Sequence, residues 1–173
     1  MSEPILPAAR PRRIPRFYVL VGLPGSGKTT YARRLLNAIR VSLDDLRLMM
    51  SGRTYDERFE PAVAAAGNAV LRAVLASASA WGMDVVFDAT NVSRAWRARS
   101  LEAASGQAVV PVAVLFRCPL EVALRRNRRR RFPVPDEVIR RFAESLEEPT
   151  REEGFAEVIV IDQAASSSLP SSQ

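Results

Sequence analysis

Short apolar runs alternate along this chain with stretches in which apolar residues recur every three or four positions. The first pattern predicts buried strands at Phe17 to Val21, Arg40 to Ser42, Val85 to Asp88, Val112 to Phe116 and Val158 to Ile161. The second predicts helices over Lys28 to Ala38, Asp44 to Met50, Pro61 to Trp81, Arg94 to Ala104, Leu120 to about Arg129, and Pro135 to Leu146. Such alternation is what a parallel sheet with crossover helices requires, so the class is α/β. Ligands in these sheets bind at the carboxyl ends of the strands, which gathers the segment after Val21, Asp44, Asp88 and the residues after Phe116 around one crevice. Trp81, Trp96 and the Met49-Met50 pair read as packing residues rather than base-stacking platforms.

The flanks are different. Residues 1–16 are rich in proline and arginine and predict a basic, extended arm, while the small polar residues of 163–173 predict a disordered tail. One domain over 17–162 lies between them. No run approaches membrane-spanning length and no signal-type apolar core opens the chain, which makes cytoplasmic residence the expectation.

The turn between the first strand and the first helix reads Gly22-Leu23-Pro24-Gly25-Ser26-Gly27-Lys28-Thr29-Thr30, with the spacing of a phosphate-cradling P-loop. Its glycines let successive backbone N–H groups converge on nucleotide phosphates beside a helix N-terminus. Lys28 would reach the β- and γ-phosphates, and the Thr29 hydroxyl a Mg²⁺ ion. Two acids, Asp44 and Asp45, stand where the second strand hands over to a helix, and Arg47 follows one turn later, on the face of Asp44. They could react or merely cap. Asp88 ends the third strand, where a P-loop fold places a carboxylate near the metal, and Thr90 and Asn91 would line the rim for substrate or simply turn the chain.

The run Arg125-Arg126-Asn127-Arg128-Arg129-Arg130-Arg131 is dense in like charge and precedes a proline-flanked helix, where small P-loop kinases carry a lid. On a continuing helix, Arg126 and Arg130 would share one face and could turn toward a transferring phosphate.

Composition narrows the chemistry. The 173 residues are enough for one core, and the net charge of +6 suits an anionic partner such as nucleic acid or nucleotide phosphate without choosing between them. Histidine is absent and Cys118 is the lone cysteine, so an intramolecular disulfide and multi-cysteine zinc sites are excluded and any general base must be a carboxylate. A GTPase would carry an NKxD-type signature after the fourth strand, where Phe116-Arg117-Cys118-Pro119 stands instead. An AAA+ motor would need a longer chain and a helical lid domain.

Together, GLPGSGKTT, SLDDLR, DATN and the arginine lid resemble the phage-type 5′-hydroxyl polynucleotide kinase domain and its wider P-loop kinase relatives, which include zeta toxins and small-molecule kinases. The resemblance covers roughly residues 17 to 162. It implies a five-stranded parallel sheet of order 2-3-1-4-5, flanked on both faces by helices, and transfer of the ATP γ-phosphate to a hydroxyl of DNA, RNA, a nucleotide or a metabolite. Lys28 and Thr29 would serve the phosphates and Mg²⁺, Asp44 the base, Arg47 a substrate phosphate, and Arg126 and Arg130 the lid. One departure concerns Asp88: the phage enzyme has its acid immediately before Thr-Asn, where this chain has Ala89. The rival readings are a small-molecule or nucleotide-sugar kinase and a non-catalytic nucleic-acid-binding module.

Overall fold

Alternation of side chains along the central strand builds the molecule. In the computed structural model, which describes residues 13–53 and 55–163, β1 (Arg16–Val21) sends Phe17 and Val19 to one face and Tyr18 and Leu20 to the other, all buried. A strand buried on both faces must be apolar throughout, as RFYVLV nearly is. The other strands are β2 (Ala38–Ser42), β3 (Asp84–Asp88), β4 (Val110–Arg117) and β5 (Glu157–Asp162). All pairings are parallel and the order is β2-β3-β1-β4-β5, as the resemblance implied.

Among the described residues, six α-helices connect or flank these strands: α1 (Lys28–Ala32), α2 (Leu43–Ser51), α3 (Glu60–Trp81), α4 (Arg94–Ala104), α5 (Leu120–Arg128) and α6 (Asp136–Glu144). One core layer joins Phe17, Val19, Val85 and Phe87 to Leu71 and Leu75 of α3, and the opposite layer joins Tyr18, Leu20, Val114 and Phe116 to Ala32 of α1. A third cluster sets Leu23 of the P-loop against Ala123, Leu124, Val138 and Ile139, so α5 and α6 pack directly on the phosphate loop. Each such side chain contributes about 1.5–3 kcal/mol by leaving water.

Several expectations need correction. The first helix stops at Ala32 instead of Ala38, because Ala38 already pairs with Asp84 in the sheet and the chain must turn in the residues between. Leu36, expected on that helix, is fully exposed. The helix α5 ends at Arg128, so Arg130 lies beyond it. There the Asn127 amide bonds Val134 in both directions, at 2.7 and 3.1 Å, and closes a loop in place of another helical turn. Met49, Trp81, Trp96 and Met50 are 74%, 53%, 42% and 40% exposed, so they are surface residues and not core packing. Finally, α3 has 22 residues, long and apolar enough to cross a membrane by length and composition. Here it lays Val63, Gly67, Leu71, Leu75 and Ala78 along one buried stripe. The expected N-terminal arm falls mainly on residues 1–12 and the expected tail on 164–173, outside the described residues.

A buried ion pair ties the crevice rim to the far end of the chain. Arg97 is 0% exposed. Its Nε and Nη2 donate to the Glu153 carboxylate at 2.7 Å each, and its Nη1 donates to the carbonyls of Asn91, Val92 and Glu147. Removing one member of such a pair strands a buried charge, at about 3–5 kcal/mol. Arg97→Met should therefore lower the melting temperature by roughly 6–20 °C for a domain of this size, and adding Glu153→Gln should restore part of the loss. Thermal unfolding of the single and double variants checks this, and an unchanged midpoint in Arg97→Met would refute it.

Candidate functional site

The P-loop closes against α5. Gly25 has φ +84°, and a Cβ there would collide with the Ala123 carbonyl, while Gly27 caps α1 from the left-handed region at φ +97°. Only glycine satisfies both demands. Lys28 is 7% exposed and donates from Nζ to the carbonyls of Gly22 and Leu23 at 2.8 Å each. Burial pulls its pKa down to about 8, although Asp88 and Asp44 oppose the fall. An arriving anion favours the charged form and would push that pKa back up.

Asp44 and Asp45 occupy the first turn of α2, but neither caps it, because Ser42 accepts the Asp45 N–H at its Oγ. Asp44 is held between two guanidiniums: Arg47 Nη1 donates to Oδ1 at 2.9 Å and Arg130 Nη2 to Oδ2 at 2.8 Å. Burial opposes its ionisation, yet the Arg130 hydrogen bond and charge, with Arg47 and Lys28 behind them, hold its pKa below the ordinary value. Asp45 is more exposed and pairs with Arg40.

Asp88 is buried at the end of β3, and burial raises its pKa against the pull of Lys28, the Thr29 hydroxyl and Arg40. Ser26 Oγ and Asp88 Oδ2 are buried and lack hydrogen-bond partners among the described residues. Arg40 Nη1 stands 3.5 Å from that Asp88 oxygen, an ionic contact only. An unpartnered carboxylate oxygen beside a threonine hydroxyl matches the donor chemistry of a hard divalent cation.

One cavity of about 810 Å³ collects most of the expected residues: Pro24, Gly25, Gly27, Lys28, Thr29 and Thr30 of the loop, then Asp44, Asp88, Thr90, Arg126 and Arg130. Arg126 and Arg130 thus face one space despite the helix break between them. Gly22 lies under the loop and donates its N–H to Thr90 O at 3.0 Å. Asn91 is buried with φ 45° and donates from Nδ2 to Leu20 O, so it braces the β1 end. Arg47 lines a neighbouring cavity with its fork engaged by Glu60.

Three participants escaped the sequence reading. Arg40 comes from the middle of β2, Glu60 fixes Arg47, and Gln163 accepts from Arg126 Nη1 at 3.1 Å. Their signal was partly available, since Arg40 is a charge inside an apolar strand.

Comparison with known proteins places this geometry. A chain of the Pnkp1/Rnl/Hen1 RNA repair complex is 27% identical with a TM-score of 0.62, covering 77% of this chain and 44% of its own. This chain therefore spans less than half the length of the RNA repair chain it matches. Kti12 from Chaetomium thermophilum, in complex with ADP-AlF3, gives a TM-score of 0.67 at 20% identity, covering 85% of this chain and 89% of its own. A gluconokinase from Sinorhizobium meliloti 1021 gives 0.55 at 22% identity, with coverage of 88% and 85%. The last two show the shared α/β fold. No curated protein sequence matches the chain. Residues 18–149 match the AAA domain family, and the chain belongs to it.

Proposed function

We propose that this protein is an ATP-dependent phosphotransferase that passes the γ-phosphate to an alcohol, with Asp44 as general base. The observation that carries the reading is one cavity in which a P-loop, a carboxylate on a helix's first turn and two lid arginines face each other. A nucleic-acid-binding module would have no use for that carboxylate. In this reading Lys28 exchanges the Gly22 and Leu23 carbonyls for the β- and γ-phosphates, and Arg126 and Arg130 meet the charge that spreads over the transferring group. The Thr29 hydroxyl and the Asp88 carboxylate would hold Mg²⁺, which would neutralise phosphate charge.

Asp44 accepts the acceptor's proton. While Arg130 sits on its carboxylate, Asp44 is a poor base, and a γ-phosphate that draws Arg130 away raises its basicity just where chemistry needs it. The nucleotide then has two effects, supplying the phosphoryl group and releasing the base.

Two acceptor classes have support. Likeness to the RNA repair chain and the net charge of +6 favour a 5′-hydroxyl of DNA, RNA or a nucleotide. The neighbouring cavity beside Arg47 favours a compact alcohol.

Lys28→Ala should abolish transfer of labelled γ-phosphate in a chain that still folds, with a melting temperature lowered by the loss of the hydrogen bonds to the Gly22 and Leu23 carbonyls. Near-normal turnover at saturating ATP and Mg²⁺ would remove the P-loop from the reaction centre. Asp44→Asn keeps shape and loses basicity, so turnover should drop by on the order of 10²- to 10⁴-fold, with Asp45→Asn milder. The reverse order would reassign the base to Asp45. In the pH profile of kcat/KM, the acid limb reports the free enzyme's base. Arg130→Ala removes the strongest stabiliser of ionised Asp44, so that limb should move to higher pH, and an unmoved limb would separate Asp44 from catalysis.

A further inference from the structure

The phosphate cavity and the neighbouring one share Ala89 and Thr90 in their walls, and the ion pair of Asp44 with Arg47 stands at the divide between them. The two spaces have the same volume, about 810 Å³, but the first has a net positive lining and the second a neutral one. Lys28 and six arginines line the phosphate cavity against three aspartates. In the second, Arg47, Arg99 and Arg141 are balanced by Glu57, Glu60 and Glu144. A polyanion gains nothing from a lining without net charge.

Arg47 is the cation closest to the base on this side, and it is already occupied. Its Nε and Nη2 donate to the two Glu60 oxygens at 2.8 Å each, and its Nη1 donates to Asp44. An arginine with a bidentate carboxylate on its fork has no second fork for a phosphate. Taking the carboxylate away would expose Glu60, only 27% accessible, to an unpaired state. Arg47 is thereby a positioning residue for Asp44.

The apolar wall offers something else. Trp96 of α4 is 42% exposed and meets Phe142 of α6 in an edge-to-face contact, 5.8 Å between centroids at 79°, and both rings line this cavity. A large aromatic ring braced on one side and open on the other is a stacking platform for a sugar face or a base.

We propose that this second cavity is the acceptor subsite and that it takes an uncharged, ring-bearing alcohol, a free sugar or a nucleoside, stacked on Trp96, with no phosphate read by Arg47. This rests on the phosphotransfer reading above. In the step itself the acceptor O–H gives its proton to Asp44 and its oxygen bonds the γ-phosphorus. The bond from that phosphorus to the bridging oxygen breaks, and its electron pair leaves with ADP.

Calorimetric titration of the full chain, with Mg²⁺ and a non-hydrolysable ATP analogue present, tests the subsite. The probes are ribose, uridine, uridine 3′-monophosphate and a 5′-hydroxyl oligouridylate. Uridine or ribose should bind within 10-fold of the 3′-monophosphate. Trp96→Ala should weaken the neutral probes roughly 5- to 100-fold, with Trp96→Phe retaining most of the affinity. Glu60→Gln, which frees the Arg47 fork, should raise the 3′-monophosphate's advantage over uridine by about 10-fold relative to the unsubstituted chain. Binding of ribose as well as uridine assigns the subsite to the sugar, and binding of uridine alone assigns it to a nucleoside. Three results would overturn the proposal: no binding of either neutral probe, a 3′-monophosphate preference above 10-fold in the unsubstituted chain, or unchanged affinities in Trp96→Ala. Labelled γ-phosphate transfer to the same probes separates the two readings. Trp96-dependent binding without transfer removes the phosphotransfer reading and keeps the ligand class, whereas transfer to the oligonucleotide alone keeps the phosphotransfer reading and removes the subsite.

Discussion

An ammonium buried at the carboxyl end of the central strand is the constraint around which this molecule is arranged. Lys28 cannot stay charged there without oxygen atoms close by, so the loop must fold its Gly22 and Leu23 carbonyls inward. That fold needs glycine at position 25 to let the loop lie against the Ala123 carbonyl, and it needs β1 to hold its place between β3 and β4. The carboxylates of Asp88 and Asp44 then stabilise the same charge from two other strand ends. Sheet order, loop shape and acid placement thus answer one electrostatic demand.

How much of this could be read in the sequence depended on range. Patterns confined to a few neighbours were legible: the apolar strands, the P-loop spacing, the paired acids, and the helix over Arg94–Ala104, whose observed bounds match the expected ones. Whatever depends on partners distant in the chain was not. Nothing local marks Arg97, because its carboxylate, Glu153, lies 56 residues away, and Gln163 meets Arg126 across 37. Trp96 and Met49 were misread for a related reason, since apolar identity says nothing about whether another element arrives to cover the residue. Helix α1 fell short because β-pairing competed for Ala38, a tertiary effect that overrides local propensity.

The arginine-rich segment illustrates how like charges coexist. Seen alone, it should repel itself, with neighbours about 6 Å apart costing roughly 0.7 kcal/mol per pair even in water. The fold distributes partners instead: the carboxylate of Asp136 to Arg128, that of Asp44 to Arg130, and the neutral side-chain amide oxygen of Gln163 to Arg126. Only the second of these contacts reaches across to α2, so the segment touches the acid from one side while α6 anchors it from the other.

The buried pair of Arg97 with Glu153 also has a consequence for biosynthesis. Arg97 leaves the ribosome 56 residues before its partner, and at about 5–20 residues per second that is an interval of roughly 3–11 s. Through that interval the Asn91 and Val92 carbonyls have no guanidinium fixed by Glu153, and burying Arg97 would strand its charge. A nascent chain therefore gains the full set of Arg97 contacts at the crevice rim only once Glu153, just ahead of β5, has been made.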